Sequence, residues 1–186
     1  MEFILHYRGE LKSNGTPEDK HRIRQRFHPQ LKELWEQPPL KHFKELLVPQ
    51  SEKGLGVIRQ LGAFQFAPLL AGKLNFLAEL EITLLRPGAP GNIVQSGGDI
   101  DNRLKTLLDA LAIPPHPNAL PRDIKPADGE TPFFCVLEDD GLITKLSVHT
   151  DRLLEATRSP LEVELTVLVR TKKLVKEIGI GGLDDI

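Results

Sequence analysis

The chain has very little cysteine, which limits the covalent links and the metal sites that it can form. One cysteine, Cys135, stands among 186 residues. A single thiol cannot form a disulfide within the chain, and a zinc site built from cysteines is excluded for the same reason. Hydrophobic residues make up 40% of the sequence, which is enough for a packed core without a covalent staple. We therefore expect one globular domain over residues 1–186.

Long hydrophobic runs are also missing. The longest uncharged stretch, Gln60 to Gly72, has 13 residues and contains Pro68, so it is too short and too polar to cross a bilayer. The first residues lack the basic start and apolar segment that are typical of a secretory signal. The sequence therefore predicts a cytoplasmic protein with no membrane partner.

The net charge is only −2, but the charges are unevenly distributed. The segment from Lys20 to Lys44 carries seven Lys or Arg against two acids, whereas the segment from Asp99 to Asp140 carries nine acids against four basic residues. Such an asymmetry says more about partners than the mean charge does. The first segment suits a polyanion and the second suits metal ions. The candidate phosphate-binding side chains are Lys20, Arg22, Arg24, Arg26 and Lys32, although they are equally typical of a solvated helix face.

Hydrophobic periodicity predicts an α+β fold, with a mixed or antiparallel sheet and helices packed against it. Strands are predicted at 2–8, 74–85, 142–149 and 161–169, with a less regular one at 57–66. Helices are predicted to begin at Pro17, Leu40 and Ile100. Thr16 is the expected N-cap of the first helix, and Pro29 is expected to break or kink that helix near Phe27.

The segment 112–132 contains six of the 15 prolines and shows no periodicity. A long irregular segment in a small domain is typically a functional insertion or a disordered one. We therefore expect that deleting Pro115 to Gly129 spares folding. The apolar but irregular stretch Val57 to Leu70 is the candidate for an exposed dimer surface, and the tail after Thr171 is expected to be frayed.

The helix predicted at 100–111 carries an unusual set of acids. Asp99 lies at the expected cap position, and Asp101, Lys105 and Asp109 follow at a spacing of four residues, so that they share one stripe beside the apolar face. Two carboxylates therefore converge at the helix start, with a lysine one turn further on. Helix capping and a simple ion-pair ladder would explain the same residues without any site.

A second acidic cluster precedes the strand predicted at 142–149. It reads Glu138-Asp139-Asp140-Gly141, and an Asp-Gly pair is typical of a turn. Three adjacent acids still repel one another unless a positive charge lies nearby. A divalent cation that bridges both clusters would supply that charge. Carboxylate oxygens without histidine at ligand spacing favour Mg²⁺, with Mn²⁺ as a substitute, over zinc.

The two clusters together resemble the RusA family of Holliday-junction resolvases. The matching string is Asp99-x-Asp101-Asn102-x-x-Lys105-x-x-x-Asp109-Ala110-Leu111, followed downstream by Asp139-Asp140-x-x-Ile143. The resemblance implies that Asp99, Asp101 and Asp140 are catalytic carboxylates that bind Mg²⁺, with Asp139 beside them and Asp109 in support. It also implies that Lys105 is the catalytic lysine. The family acts as a homodimer that nicks two opposed strands of a four-way DNA junction.

The sequence departs from the family pattern in three places. The segment 112–132 lies between the two motifs, the net charge is not basic, and the N-terminal half with its Arg-rich helix does not match. Two alternatives therefore stay open. One is a protein that binds branched DNA without cutting it, and the other is a metal-dependent phosphohydrolase of small nucleotides.

Overall fold

Two sheets and two α-helices build the part of the chain that the computed structural model describes, residues 1–88 and 100–174. The strands are β1 (Glu2–Glu10), β2 (Arg59–Leu61), β3 (Phe64–Leu70), β4 (Phe76–Arg86), β5 (Phe133–Leu137), β6 (Ile143–Arg152) and β7 (Glu162–Lys173). The α-helices are α1 (Pro17–Glu36) and α2 (Ile100–Leu111). Single 3-10 segments lie at Leu40–Leu46, Gly72–Leu74, Pro117–Ala119 and Asp140–Leu142. The α+β class and the mixed sheet are confirmed.

The main sheet has the strand order β1-β7-β4-β6. β7 runs antiparallel to both β1 and β4, whereas β6 runs parallel to β4. Because β4 and β6 are parallel, both begin at one end of the sheet and finish at the other. We call these the Ile143 end, where Ile143 pairs with Ala78, and the Arg86 end, where Arg86 pairs with Arg152. At about 3.3 Å per residue, the two pairs lie ~26 Å apart.

The main core forms where α1 covers one face of this sheet. Strict alternation in β4 and β7 turns Leu80, Leu84, Leu165 and their alternate neighbours inward. The helix meets them with side chains at helical spacing, which are Ile23, Phe27, Leu31 and Trp35. Each fully buried side chain of this size contributes roughly 1.5–3 kcal/mol. The packing of α1 on the main sheet therefore holds α1 in the position where α2 contacts it.

The first helix is not broken at Pro29, so the prediction of a break near Phe27 is wrong. α1 runs from Pro17 to Glu36 with Pro29 inside it. The predicted N-cap is confirmed, because Thr16 and Asp19 form a reciprocal capping box. Pro29 removes one backbone donor, but buried contacts on both sides of it hold the helix together.

Two segments that the sequence suggested were peripheral belong to the interior. Ile113 and Leu120, from the proline-rich segment, pack in a second core with Phe64, Phe66 and Phe133. The stretch 57–70 contains β2 and β3 of the second sheet and is largely buried, so it is not an exposed dimer surface. Removing 115–129 would take Leu120 out of this core. The structure therefore contradicts the expectation that the deletion spares folding.

Candidate functional site

The helix α2 presents the first part of the predicted site. Asp101 lies exposed in the first turn, and its Oδ1 accepts the backbone N–H of Asn102 at 2.7 Å. Lys105 is exposed one turn further on, and none of the described residues forms an ion pair with it. Asp99 lies outside the described residues. Asp101 and Lys105 are thus not used to hold the fold together.

The ion-pair ladder that could explain these charges is not formed. Asp109 instead pairs across to α1, with its Oδ2 at 2.7 Å from the Nζ of Lys20. The helix is anchored by groups on its other side, since Arg103 donates to the Leu11 carbonyl at 2.8 Å and Thr106 accepts the N–H of Gly15 at 2.9 Å. Asp101 suits the first turn of a helix, but no ion pair among the described residues holds Asp101 or Lys105.

The second part of the predicted site lies in the turn between β5 and β6. Asp139 caps the 3-10 segment, because its Oδ1 accepts the N–H of Gly141 at 2.8 Å, and Asp140 is exposed. Glu138 differs from both. Its carboxylate accepts from the N–H of Gly72 at 2.9 Å and from the amide of Gln50 at 2.8 Å. Glu138 is therefore a structural acid, and the two aspartates remain available.

Within one chain, the structure places the two parts of the predicted site at opposite ends of the main sheet. The end of α2 meets the end of β5, where the N–H of Ile113 donates to the Leu137 carbonyl, two residues before Asp139. Asp101 lies ten residues before Leu111, the last residue of α2, or ~15 Å by helical rise. The contact of Arg103 with Leu11, directly after β1, puts the start of α2 at the Arg86 end. Asp139 and Asp140 precede β6 at the Ile143 end.

A shared metal site within one chain does not fit this arrangement. In residues 1–88 and 100–174, no three His, Cys, Asp or Glu side chains come together in a way that could hold a metal ion. Carboxylate oxygens are the right donors for Mg²⁺, but Asp101 is separated from Asp139 and Asp140 by the length of α2. Among the described residues, Asp101 is therefore not brought together with Asp139 and Asp140, and Asp99 lies outside these residues.

The candidate phosphate-binding side chains are mostly engaged in the fold. Arg24 is a correction, because its guanidinium is buried and donates to the carbonyls of Asp109 at 2.6 Å and Ala112 at 3.3 Å. It caps the C-terminal end of α2 and cannot reach DNA. Burial lowers the pKa of Arg24 to about 10.

The other basic side chains of α1 divide into engaged and available ones. Arg22 pairs with Asp19 at 3.3 Å, and Lys32 donates to the Gly129 carbonyl at 3.1 Å. Arg26 is exposed, and its side chain has no ion pair with any described residue. On α1, Arg26 is therefore the best remaining candidate for a phosphate contact.

Sequence reasoning missed the arginines that surround the start of α2. Arg86 and Arg152 face each other across β4 and β6 at the Arg86 end, and Arg103 lies nearby. Burial and the charge of Arg86 lower the pKa of Arg103. These residues are far apart in sequence and their elements meet only through strand register, so no local pattern could have revealed the group.

The open face of the main sheet is an unsuitable surface for DNA. Its outward side chains include the acids Glu79, Glu81, Glu162 and Glu164, which form ion pairs with neighbouring basic residues such as Arg8 and Lys145. A polyanion meets more repulsion than attraction on such a face. Contacts with phosphate are expected on the side of α1 and α2 instead.

An apolar cavity of about 360 Å³ lies at the Ile143 end. Its walls include Trp35, Leu40, Phe43 and Phe76, and the hydroxyl group of Thr171 is a rare polar group among them. No carboxylate or basic side chain belongs to this lining. The cavity therefore offers nothing to hold the phosphates of a small nucleotide.

Comparison with known proteins gives no assignment. No family model, no curated protein and no solved structure matches the chain. Among the described residues, no helix is long and apolar enough to cross a membrane.

Proposed function

We propose that the chain is a Mg²⁺-dependent endonuclease of branched DNA, similar to the RusA resolvases, that cuts four-way junctions by paired nicks. Mn²⁺ is the expected substitute for Mg²⁺. The observation that carries the proposal is the state of Asp101 and Lys105. Both are exposed, one turn apart on α2, and free of the ion pairs that a structural role would give them. Because no ion pair with a described residue holds them, both side chains are free to contact a ligand.

Lys105 has the clearest chemical role in this proposal. Its ammonium group lies on the same stripe as Asp101 and can neutralise charge that builds on a phosphate held at the start of α2. The arginines at the Arg86 end add positive potential around that position. Because the carboxylates of one chain lie apart, we assign no step to the metal.

A second candidate is a protein that binds branched DNA and does not cut it. The separation of Asp101 from Asp139 and Asp140 in one chain favours this alternative, since binding needs positive charge but no assembled carboxylate site. The apolar cavity described above gives the small-nucleotide phosphohydrolase no support.

A cleavage assay separates these functions. The full chain is incubated with a synthetic four-way junction and, in parallel, with a linear duplex of the same sequence, with Mg²⁺ or with a chelator. We expect symmetrical nicks on the junction with Mg²⁺ only, and little cutting of the duplex. Junction binding without nicks, in Mg²⁺ and in Mn²⁺, would contradict the nuclease and favour the binding protein. Absence of both binding and nicking would contradict both.

A further inference from the structure

The apolar cavity at the Ile143 end has walls that the described residues leave partly open to solvent. Phe43 is 47% exposed and Met1 is 39% exposed, although both belong to its lining. The volume of about 360 Å³ and the aromatic and aliphatic walls are typical of a site that takes a ligand. Large apolar side chains that stay open in a concave surface indicate that something covers them.

Two lysines border this cavity. Lys41 follows Leu40 in the 3-10 segment, and Lys173 of β7 pairs in register with Phe76 of β4. Leu40 and Phe76 both line the cavity, and so does Thr171, which shares a face of β7 with Lys173. Both lysines are exposed, and no described residue forms an ion pair with either of them. Positive charge is therefore available at the border of the cavity.

The other charges near the 3-10 segment nearly cancel. Lys44 pairs with Glu36 at 2.5 Å, and Glu45 is an exposed acid. With Lys41 and Lys173 included, three lysines stand against two acids. An occupant with negative charge therefore matches this border better than a basic occupant does.

The chain leaves the described residues directly beside the cavity. The N–H of Leu174, the residue after β7, donates to the Asn75 carbonyl at 2.7 Å. Asn75 lies between Leu74 and Phe76, which both line the cavity. Residues 175–186 follow and lie outside the described residues. A segment attached at this point needs no long reach to enter the cavity.

The sequence of residues 175–186 matches the cavity in polarity and in charge. It contains five aliphatic side chains, and three acids against one lysine. Leu183 and Ile186 flank the pair Asp184-Asp185, and the stretch 179–182 before them contains three glycines. Glycine adopts backbone conformations that reverse the chain direction at little cost. The sequence therefore allows these last four residues to fold back onto the point of attachment.

We propose that the segment 183–186 of the same chain occupies the apolar cavity. Leu183 and Ile186 are three residues apart, so both can lie on one side of a turn and enter the cavity together. The two aspartates between them stay at the border, where they meet Lys41 and Lys173. The tether gives the segment an effective concentration on the order of 1 mM, so weak contacts suffice. This inference does not depend on the proposed nuclease function.

Quenching of Trp35 fluorescence by acrylamide tests the occupancy in the full chain. Trp35 is the only tryptophan, and it lines the cavity. A variant that combines Leu183→Ser and Ile186→Ser, called the serine variant, should raise the quenching constant at least about twofold, because its segment no longer covers the apolar walls. Equal quenching of the unaltered chain and the serine variant would overturn the proposal.

The matched control removes two aliphatic side chains from the same part of the sequence. Ile178→Ser combined with Ile180→Ser should leave the quenching constant close to that of the unaltered chain. Circular dichroism checks that both variants are folded. If this control and the serine variant raise quenching equally, the assignment to Leu183 and Ile186 is wrong.

A peptide with blocked termini tests the same contacts from outside. The sequence Gly-Gly-Leu-Asp-Asp-Ile, acetylated and amidated, is added to the serine variant. It should restore protection of Trp35 with a midpoint on the order of 1 mM, whereas a peptide with serine in place of leucine and isoleucine should not. Failure of the first peptide to protect, or equal protection by both, would overturn the proposal.

Paired cysteines distinguish the chain's own segment from that of a second copy. Phe43→Cys with Leu183→Cys should close a disulfide within one chain about tenfold faster than Lys172→Cys with Leu183→Cys. Lys172 is nearer in sequence, but it lies on the open face of the sheet, where it pairs with Glu79 at 3.7 Å. Cys135 is buried and should not react. Equal rates would overturn the docking, and covalent dimers in place of closed monomers would overturn the assignment to the same chain.

The charged border is tested with the blocked peptide as well. Lys173→Glu in the serine variant should raise the half-saturating peptide concentration about two- to fivefold, because a single exposed ion pair contributes little. Lys145→Glu is the control, since Lys145 is exposed on β6 and does not line the cavity. A peptide with lysine in place of its first aspartate should bind the Lys173→Glu protein better than it binds the serine variant itself. An unchanged midpoint with Lys173→Glu would overturn the arrangement of charges.

Discussion

The two edge strands of the main sheet differ in how they end the sheet. On β1, the side-chain amide of Gln30 bonds both the N–H and the carbonyl of His6, at 2.9 and 2.7 Å, and the hydroxyl group of Tyr7 donates to the Glu10 carbonyl at 2.7 Å. On β6, no comparable contact closes the outer side within the described residues. The β1 side, under α1, uses its polar groups for folding, whereas the outer polar groups of β6 have no such contacts among the described residues. Exposure alone would not have separated these two uses of polar residues.

The largest expected effect is a loss of stability when a buried contact of α1 is removed. Arg24→Ala removes both donors to the carbonyls at the end of α2 and should lower the free energy of unfolding by roughly 3–4 kcal/mol. Urea unfolding followed by the fluorescence of Trp35 measures it. Arg26→Ala on the same helix is the matched control and should change stability by about 0.5 kcal/mol or less. Equal effects of the two substitutions would show that Arg24 is not a structural arginine.

The next effect concerns Asp101, an exposed charge that we propose acts in cleavage rather than in folding. Asp101→Asn should reduce junction cleavage at least about a hundredfold, or about 2.7 kcal/mol in transition-state stabilisation, while the free energy of unfolding falls by about 0.3–1 kcal/mol, because a first-turn carboxylate is lost. Loss of a carboxylate weakens no contact with DNA, so junction binding should persist. The assay is a single-turnover cleavage experiment with a gel-shift measurement beside it. Full activity of this variant would remove Asp101 from the site.

Two buried histidines on α1 sharpen the comparison through pH. Both ring nitrogens of His21 lack a partner among the described residues, and burial beside Arg24 lowers its pKa to about 4. In the unfolded chain the imidazole of His21 has its ordinary pKa near 6.5, so it binds a proton at a higher pH than in the folded chain. His21 therefore lowers the free energy of unfolding as pH falls from about 6.5 towards 4. The loss should reach about 2.5 kcal/mol near pH 4.5. Urea unfolding at a series of pH values measures it.

The variants that check this effect are His21→Phe and His28→Phe. His21→Phe removes two unpartnered nitrogens and should flatten the pH dependence without loss at pH 7. His28 differs, because its Nδ1 accepts the N–H of Phe134 at 2.9 Å. His28→Phe should therefore cost about 1–3 kcal/mol at pH 7, and less as pH falls, because burial lowers the pKa of His28 as well. A steep acid dependence that survives His21→Phe would exclude His21 as its source.

The smallest effect concerns the exposed arginine of α1. If Arg26 contacts phosphate, Arg26→Ala should weaken binding to all DNA sequences alike and flatten the slope of log K against log salt by somewhat less than one. Lys53→Ala, an exposed lysine outside α1, is the control. An unchanged slope would leave Arg26 as an ordinary surface residue.

The sequence predicted those elements that have one solvent-exposed face and one buried face. β4 and β7 alternate cleanly, and the start of α1 carries its capping box in four consecutive residues. β3 and β5 escaped clear recognition because they pair parallel and are buried on both faces, which removes the alternation. Pro29 misled because local propensity was overruled by the packing of Phe27 and Leu31.

The candidate site was predictable in its residue types but not in its geometry. Spacing within α2 correctly put Asp101, Lys105 and Asp109 on one stripe. It could not show that Asp109 pairs with Lys20 or that Arg24 is buried, because both depend on where α1 meets α2. Nor could it show that Asp139 lies at the other end of α2, since this follows from the parallel contact of Ala112 with Leu137.

The contact between Gln30 and His6 also limits the size of any assembly. Each unpaired strand edge can bind one strand of another molecule. A sheet with two available edges can therefore add copies without limit, as fibres do. Gln30 of α1 bonds the backbone of His6 and so closes part of the β1 edge, whereas no such contact closes β6 among the described residues. The side chain of one glutamine, 24 residues away in sequence from the strand position it covers, thereby makes growth of a filament through both edges of the main sheet less favourable.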